Sequence, residues 1–105
     1  MNVMERIKTE VEAHAIVLYM KGTPQFPMCG FSSSTAQALK ECGAQFHAVN
    51  VLEDPEIRAS LPRYSDWPTF PQLFINGELI GGSDIALELH ASGELKRMAV
   101  EAQRA

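Results

Sequence analysis

The run "AIVLYM", Ala15 to Met20, constrains this chain more than any other stretch. Successive side chains of a strand point to opposite faces of its sheet, so an unbroken apolar run needs cover on both faces. Such a strand belongs in the middle of a sheet layered by helices. The flanking segments can supply those layers. Upstream, Val3, Ile7 and Val11 fall at i, i+4 and i+8, one apolar stripe on an opening helix. Downstream, a loop with Gly22, Pro24 and Pro27 leads into a helix from about Cys29 to Lys40, and Gly43 is placed to end it.

The remaining segments extend the pattern. "QFHAVNVL", Gln45 to Leu52, alternates imperfectly, but its β-branched content predicts a second strand. Two strands joined through a helix run parallel, with a right-handed crossover. "EDPEIRASL" opens a helix with Asp54 as N-cap and Pro55 in the first helical position. After the prolines of "SDWPTFP", the segments "QLFI", "NG" and "ELI" read as a β-hairpin. "SDIALELHASGELKRMAVEA" closes the chain as helix, broken near Gly93. The prediction is a single α/β domain over residues 1–105, with a four-stranded mixed sheet between helices.

Composition narrows the function. The net charge of −4 leaves no basic surplus for phosphates, which speaks against nucleic acid. The longest apolar run is far too short to cross a bilayer, so no membrane partner is expected. The opening "MNVMERIKTEVEAH" carries charge throughout, unlike a secretory signal, and its glutamates speak against a mitochondrial one. Two cysteines are too few for a disulfide framework. A reducing compartment is expected, most simply the cytoplasm.

Cys29 is the candidate reactive group. It stands where a strand–loop–helix unit enters its helix, beside N–H groups without intrahelical partners. A thiolate there is stabilised, and thiolates are both nucleophiles and metal ligands. Ser32 occupies the second position of what would otherwise be a C-x-x-C pair, so a two-thiol mechanism is closed to this motif. Cys42 cannot replace it: on one helix the two sulfurs would stand about 20 Å apart along the axis, whereas a disulfide needs Cα atoms within about 7 Å. His14, His47 and His90 have no ligand spacing to one another or to Cys29. On residue type alone, Arg58 reads as a solvated helix residue. "GGSD" reads equally as a turn with a Ser83 cap or as an anion-binding helix start.

"KGTPQFPMCGFS", "WPTFPQLFINGELIGG" and "SDI" together resemble the monothiol glutaredoxins of the CGFS type, over essentially the whole chain. The resemblance implies a thioredoxin-like fold with sheet order 2-1-3-4 and about five helices. It implies that Lys21 and Arg58 meet the glycine carboxylate of glutathione. Phe70, before a cis Pro71, would pair with the cysteinyl unit, and Gly82, Ser83 and Asp84 would hold the γ-glutamyl end. Trp67 is read as structural, beside the Pro71 loop, though the family keeps a tryptophan there near the cluster site. Many relatives carry cysteine where Ser83 stands, so thiol chemistry is absent at that position here.

A [2Fe–2S] cluster needs four ligands, usually thiolates. One chain offers Cys29, and a bound glutathione would add a second thiolate. The expectation is a cluster bridging a homodimer through two Cys29 and two glutathiones. The family's role is delivery and sensing of such clusters, with a BolA-like protein and iron–sulfur recipient apoproteins as partners. The loop from Gly22 to Met28 is longer than in dithiol relatives, which favours shared ligation over catalytic turnover. The alternative is a glutathione-dependent oxidoreductase that deglutathionylates proteins by a one-thiol route. At most weak activity of that kind is expected.

Overall fold

The computed structural model describes residues 1–104. Its sheet has four strands: β1 (Ile16–Met20), β2 (His47–Asn50), β3 (Gln72–Ile75) and β4 (Glu78–Gly81), in the order β2-β1-β3-β4. β1 runs parallel to β2 and antiparallel to β3, and β3 pairs antiparallel with β4. The helices are α1 (Val3–Ala13), α2 (Gly30–Glu41), α3 (Pro55–Ser65), α4 (Ser83–Ser92) and α5 (Glu94–Arg104).

Every residue of β1 is buried, and its pleat divides the core. Ile16, Leu18 and Met20 pack on one face with Ala36 and Leu39 of α2, Ala86 of α4 and Leu95 of α5. Val17 and Tyr19 pack on the other with Ile7 and Val11 of α1 and Ile57 and Leu61 of α3. Each face would leave a row of apolar side chains in water without its helices, and burial is worth about 25 cal/mol per Å² of apolar surface.

Local signals hold the element ends. Asp54 Oδ1 accepts from the Ile57 N–H at 3.2 Å, capping α3, and Pro55 follows at its start. Arg6 of α1 also reaches Asp54 at 2.9 Å and Glu56 at 2.7 Å, tying the two helices of one layer together. Gly43, with φ +70, ends α2, and Gly93 in the left-handed region separates α4 from α5. Asn76 and Gly77 both have positive φ, the backbone a two-residue hairpin turn requires.

Several boundaries depart from the sequence reading, and β2 begins at His47, not Gln45. β2 ends at Asn50, not Leu52, because Asn50 Oδ1 accepts from the Leu52 N–H at 3.0 Å and turns Val51–Glu53 into a short 3-10 segment. α2 begins at Gly30, with Cys29 in its N-cap position. α4 takes Gly82 as N-cap and Ser83 as its first helical residue, so Ser83 does not cap it.

Candidate functional site

The loop between β1 and α2 is folded back on itself. Met28 N–H donates to the Lys21 carbonyl at 2.9 Å, and Thr23 and Phe26 exchange backbone bonds at 3.1 and 3.2 Å. Gly22 permits this closure. Its φ is +90, and a Cβ there would lie 2.5 Å from the Phe26 carbonyl oxygen and 2.6 Å from the Met28 nitrogen. The Gly22 N–H also donates to Asn50 Oδ1 at 2.9 Å, so the residue that ends β2 pins the loop.

Cys29 is half-buried at the loop's end, and both cysteines are free thiols. No side-chain cap bond of regular geometry forms at this helix start. The Cys29 thiol is nonetheless drawn below its ordinary pKa, chiefly by the Ser32 backbone N–H. Desolvation opposes that shift, while the Phe31 N–H, the Ser32 hydroxyl and the Lys21 charge support it. Ser32 itself is fully buried, and its Oγ accepts from the Lys21 N–H at 3.0 Å. The residue in the second cysteine's place is therefore a brace between β1's end and α2's first turn.

Cys29 opens into a cleft of about 880 Å³. Every residue singled out for the site lies on its wall: Lys21, Cys29, Arg58, Phe70, Pro71, Gly82, Ser83 and Asp84. Neither Lys21 nor Arg58 forms an ion pair among the described residues, so both cations face the cleft unneutralised. Across the cleft, the first turn of α4 has no side-chain cap, which leaves its N–H groups available to a carboxylate. The Phe70–Pro71 peptide is cis.

Sequence reasoning missed two contributors and read a third as mainly structural. Trp67, read as structural, also lines the cleft, and its buried Nε1 has no hydrogen-bond partner. Phe31 forms part of the wall while 67% exposed; its place beside Cys29 was the only sequence signal. Gln72, fully buried in β3, donates from Nε2 to the Trp67 carbonyl at 2.8 Å and the Thr69 carbonyl at 3.2 Å, and so holds the loop before Pro71. A glutamine in a strand gives no hint of that task.

The histidines lie elsewhere. His14 and His47 stack with ring centroids 4.0 Å apart, and His47 Nε2 meets Glu10 Oε2 at 3.2 Å. His90 sits beside Cys42, at 3.5 Å between Nδ1 and Sγ. Among the described residues no three His, Cys, Asp or Glu side chains are grouped to hold a metal ion, and no helix is long and apolar enough to cross a membrane.

A single cysteine at a helix start, a cis-proline loop and a cleft between them, on a sheet of order 2-1-3-4, define a thiol protein of thioredoxin-like fold. The glutaredoxin family model matches residues 16–80. The chain is 50% identical over 104 residues to Glutaredoxin 4 of Buchnera aphidicola subsp. Acyrthosiphon pisum, covering 99% of this chain and 96% of that one. It is 49% identical over 98 residues to Glutaredoxin 4 of Escherichia coli K12, covering 93% and 85%. The solution structure of reduced poplar apo GrxS14 superposes with a TM-score of 0.81 at 46% identity, covering 96% of this chain and 93% of that one. A crystal structure of a buckwheat glutaredoxin–glutathione complex superposes with a TM-score of 0.83 at 25% identity, covering 95% and 89%. The chain belongs to the glutaredoxin family, and with Cys29 and Ser32 in its motif it is a monothiol member of the CGFS type.

Proposed function

We propose that this chain binds glutathione in the cleft beside Cys29 and, as a pair of chains, holds a [2Fe–2S] cluster that it passes to recipient apoproteins. The observation that carries the reading is the lone, thiolate-favouring Cys29 set beside a cleft with cations at one end and an uncapped helix start at the other. Glutathione has a carboxylate at each end and a thiol between them, which suits that arrangement. Lys21 and Arg58 would take the glycine carboxylate. The N–H groups of α4 would take the γ-glutamyl carboxylate, with Asp84 taking its ammonium. The glutathione-complexed buckwheat relative supports this choice of ligand.

The residues fit a shared cluster better than a private one. The cleft's only thiolate in one chain is Cys29, so a four-thiolate shell requires a tripeptide thiol from each of two chains. Phe31 on the cleft wall, with Phe26 and Met28 of the loop before Cys29, is part of an apolar rim, 67%, 79% and 71% exposed, suited to a second copy or to a BolA-like partner in a mixed dimer. The cluster, when bound, supplies the cargo. The chain's residues supply one thiolate, orient the tripeptide and exclude water at the rim. Cytoplasmic residence accords with free thiols.

Anaerobic reconstitution with iron, sulfide and glutathione tests the reading. The expected product is a coloured dimer whose native mass contains two chains, two tripeptides and one cluster. Colour retained by Cys29→Ser, or a cluster held by one chain without tripeptide, overturns it.

The lowered pKa of Cys29 favours a second reading, one-thiol deglutathionylation. The Cys29 thiolate would attack the glutathione sulfur of a mixed disulfide, the protein thiolate would leave, and a second glutathione would release oxidised glutathione. Steady-state reduction of a glutathionylated peptide distinguishes the readings. Slow turnover is expected, since the longer loop from Gly22 to Met28 favours shared ligation over attack on a mixed disulfide.

A further inference from the structure

At the opposite end of α2 from Cys29 stand three side chains that the cleft does not use. Cys42, at the C-cap of α2, is 8% exposed and packs in the apolar cluster among α2, α4 and α5. Its Sγ lies 3.5 Å from His90 Nδ1 of α4. The other ring nitrogen of His90, Nε2, lies 3.4 Å from Glu41 Oε1. A carboxylate facing Nε2 favours the neutral tautomer with its hydrogen there, leaving Nδ1 as an acceptor toward the thiol. Burial raises the Cys42 pKa, against the nearby charge of Lys96, while Glu41 adds to the rise. Cys42 is thus stored as a protonated thiol, which reacts only if a base removes its proton.

We propose that Cys42, His90 and Glu41 form a second thiol site, separate from the cleft, at which a small peroxide oxidises Cys42. The arrangement is nucleophile, base and orienting carboxylate in hydrogen-bonding sequence. As sulfur attacks one oxygen of hydrogen peroxide, the S–O bond forms and the O–O bond breaks. The thiol proton passes through His90 Nδ1 to the departing hydroxide, which leaves as water. Sulfur loses two electrons to the peroxide and becomes a sulfenic acid. Glu41 steadies the imidazolium that forms in between. Cys42 is 8% exposed, so a small peroxide has easier access to the sulfur than a tripeptide thiol, and a sulfenic acid is the expected product.

The test treats the full chain with equimolar hydrogen peroxide and a cyclic 1,3-diketone that traps sulfenic acid, and locates and times the label by peptide mass spectrometry. Label is expected at Cys42, with its rate lowered roughly a hundredfold in His90→Phe, the low end of general-base effects. Glu41→Gln, at an exposed side chain that leaves the packing intact, is expected to slow it severalfold. If His90 only packs against Cys42, its replacement loosens the contact and the label appears faster. A faster or unchanged rate in His90→Phe, an unchanged rate in Glu41→Gln, or label confined to Cys29 in the parent chain overturns the proposal.

Discussion

Ser32 stands where a second cysteine would, and its contribution is geometric rather than thiol chemistry. Its Oγ accepts from the Lys21 N–H and its backbone and hydroxyl both favour the Cys29 thiolate. Ser32→Ala is expected to cost about 1–3 kcal/mol, because a buried N–H loses its acceptor; urea denaturation measures it. The same variant should raise the Cys29 pKa. A lowered folded-state pKa means the parent chain keeps its thiolate as pH falls through the ordinary thiol range, losing it only below the folded pKa. Iodoacetamide labelling against pH should therefore show the parent's midpoint below that of free cysteine and that of Ser32→Ala above the parent's. Arg58 is different in kind. It is exposed and unpaired among the described residues, so Arg58→Ala should leave the melting temperature unchanged and weaken glutathione binding about tenfold by calorimetry, the weight of one charge-assisted hydrogen bond. Cys29 was readable from sequence as the candidate thiol, whereas the role of Ser32 was not, since its partner Lys21 lies just past the end of β1, eleven positions away.

The elements were legible where a local rule sets them. Asp54 before Pro55 marks a helix start by hydrogen-bond chemistry that needs no distant residue. Asn76-Gly77 marks a turn by backbone freedom alone. Asp54→Ala is expected to lose about 1 kcal/mol from the missing cap, together with the Arg6 link between α1 and α3; thermal denaturation checks it. The end of β2 was misread because Val51 and Leu52 carry strong strand preference. Asn50 overrides it by giving one side-chain oxygen to both the Leu52 and Gly22 N–H groups. The strand therefore ends where the active loop needs support, a tertiary demand that propensity does not register. Gly22→Ala should displace that loop, since its Cβ would collide with backbone atoms at 2.5 and 2.6 Å. Loss of the Cys29 labelling advantage, with far-ultraviolet circular dichroism preserved, is the expected result.

For the whole molecule, the sheet turns sequence distance into a site. β1 delivers Lys21 and the Cys29 loop, α3 delivers Arg58, the loop before β3 delivers Phe70, and β4 leads into Gly82 and Asp84. The apolar rim of Phe26, Met28 and Phe31 then lies outside a core that is already closed. Replacing all three with serine should leave the monomer's stability within about 0.5 kcal/mol, as surface changes usually do. It should lower the dimer fraction of reconstituted protein by size-exclusion chromatography; an unchanged fraction removes the rim from the interface.

What the sequence determined by itself was whatever depends on neighbours along the chain: the helix stripes, the buried central strand, the caps and turns, and one thiol without a resolving partner in its motif. Those follow from periodicity and from hydrogen bonds that span a few residues. Only the tertiary structure set Gln72 to hold the loop before Pro71, made Ser32 a brace and set His90 against Cys42. Each of these depends on contacts between separate segments of the chain, which form because the two faces of β1 must both be buried.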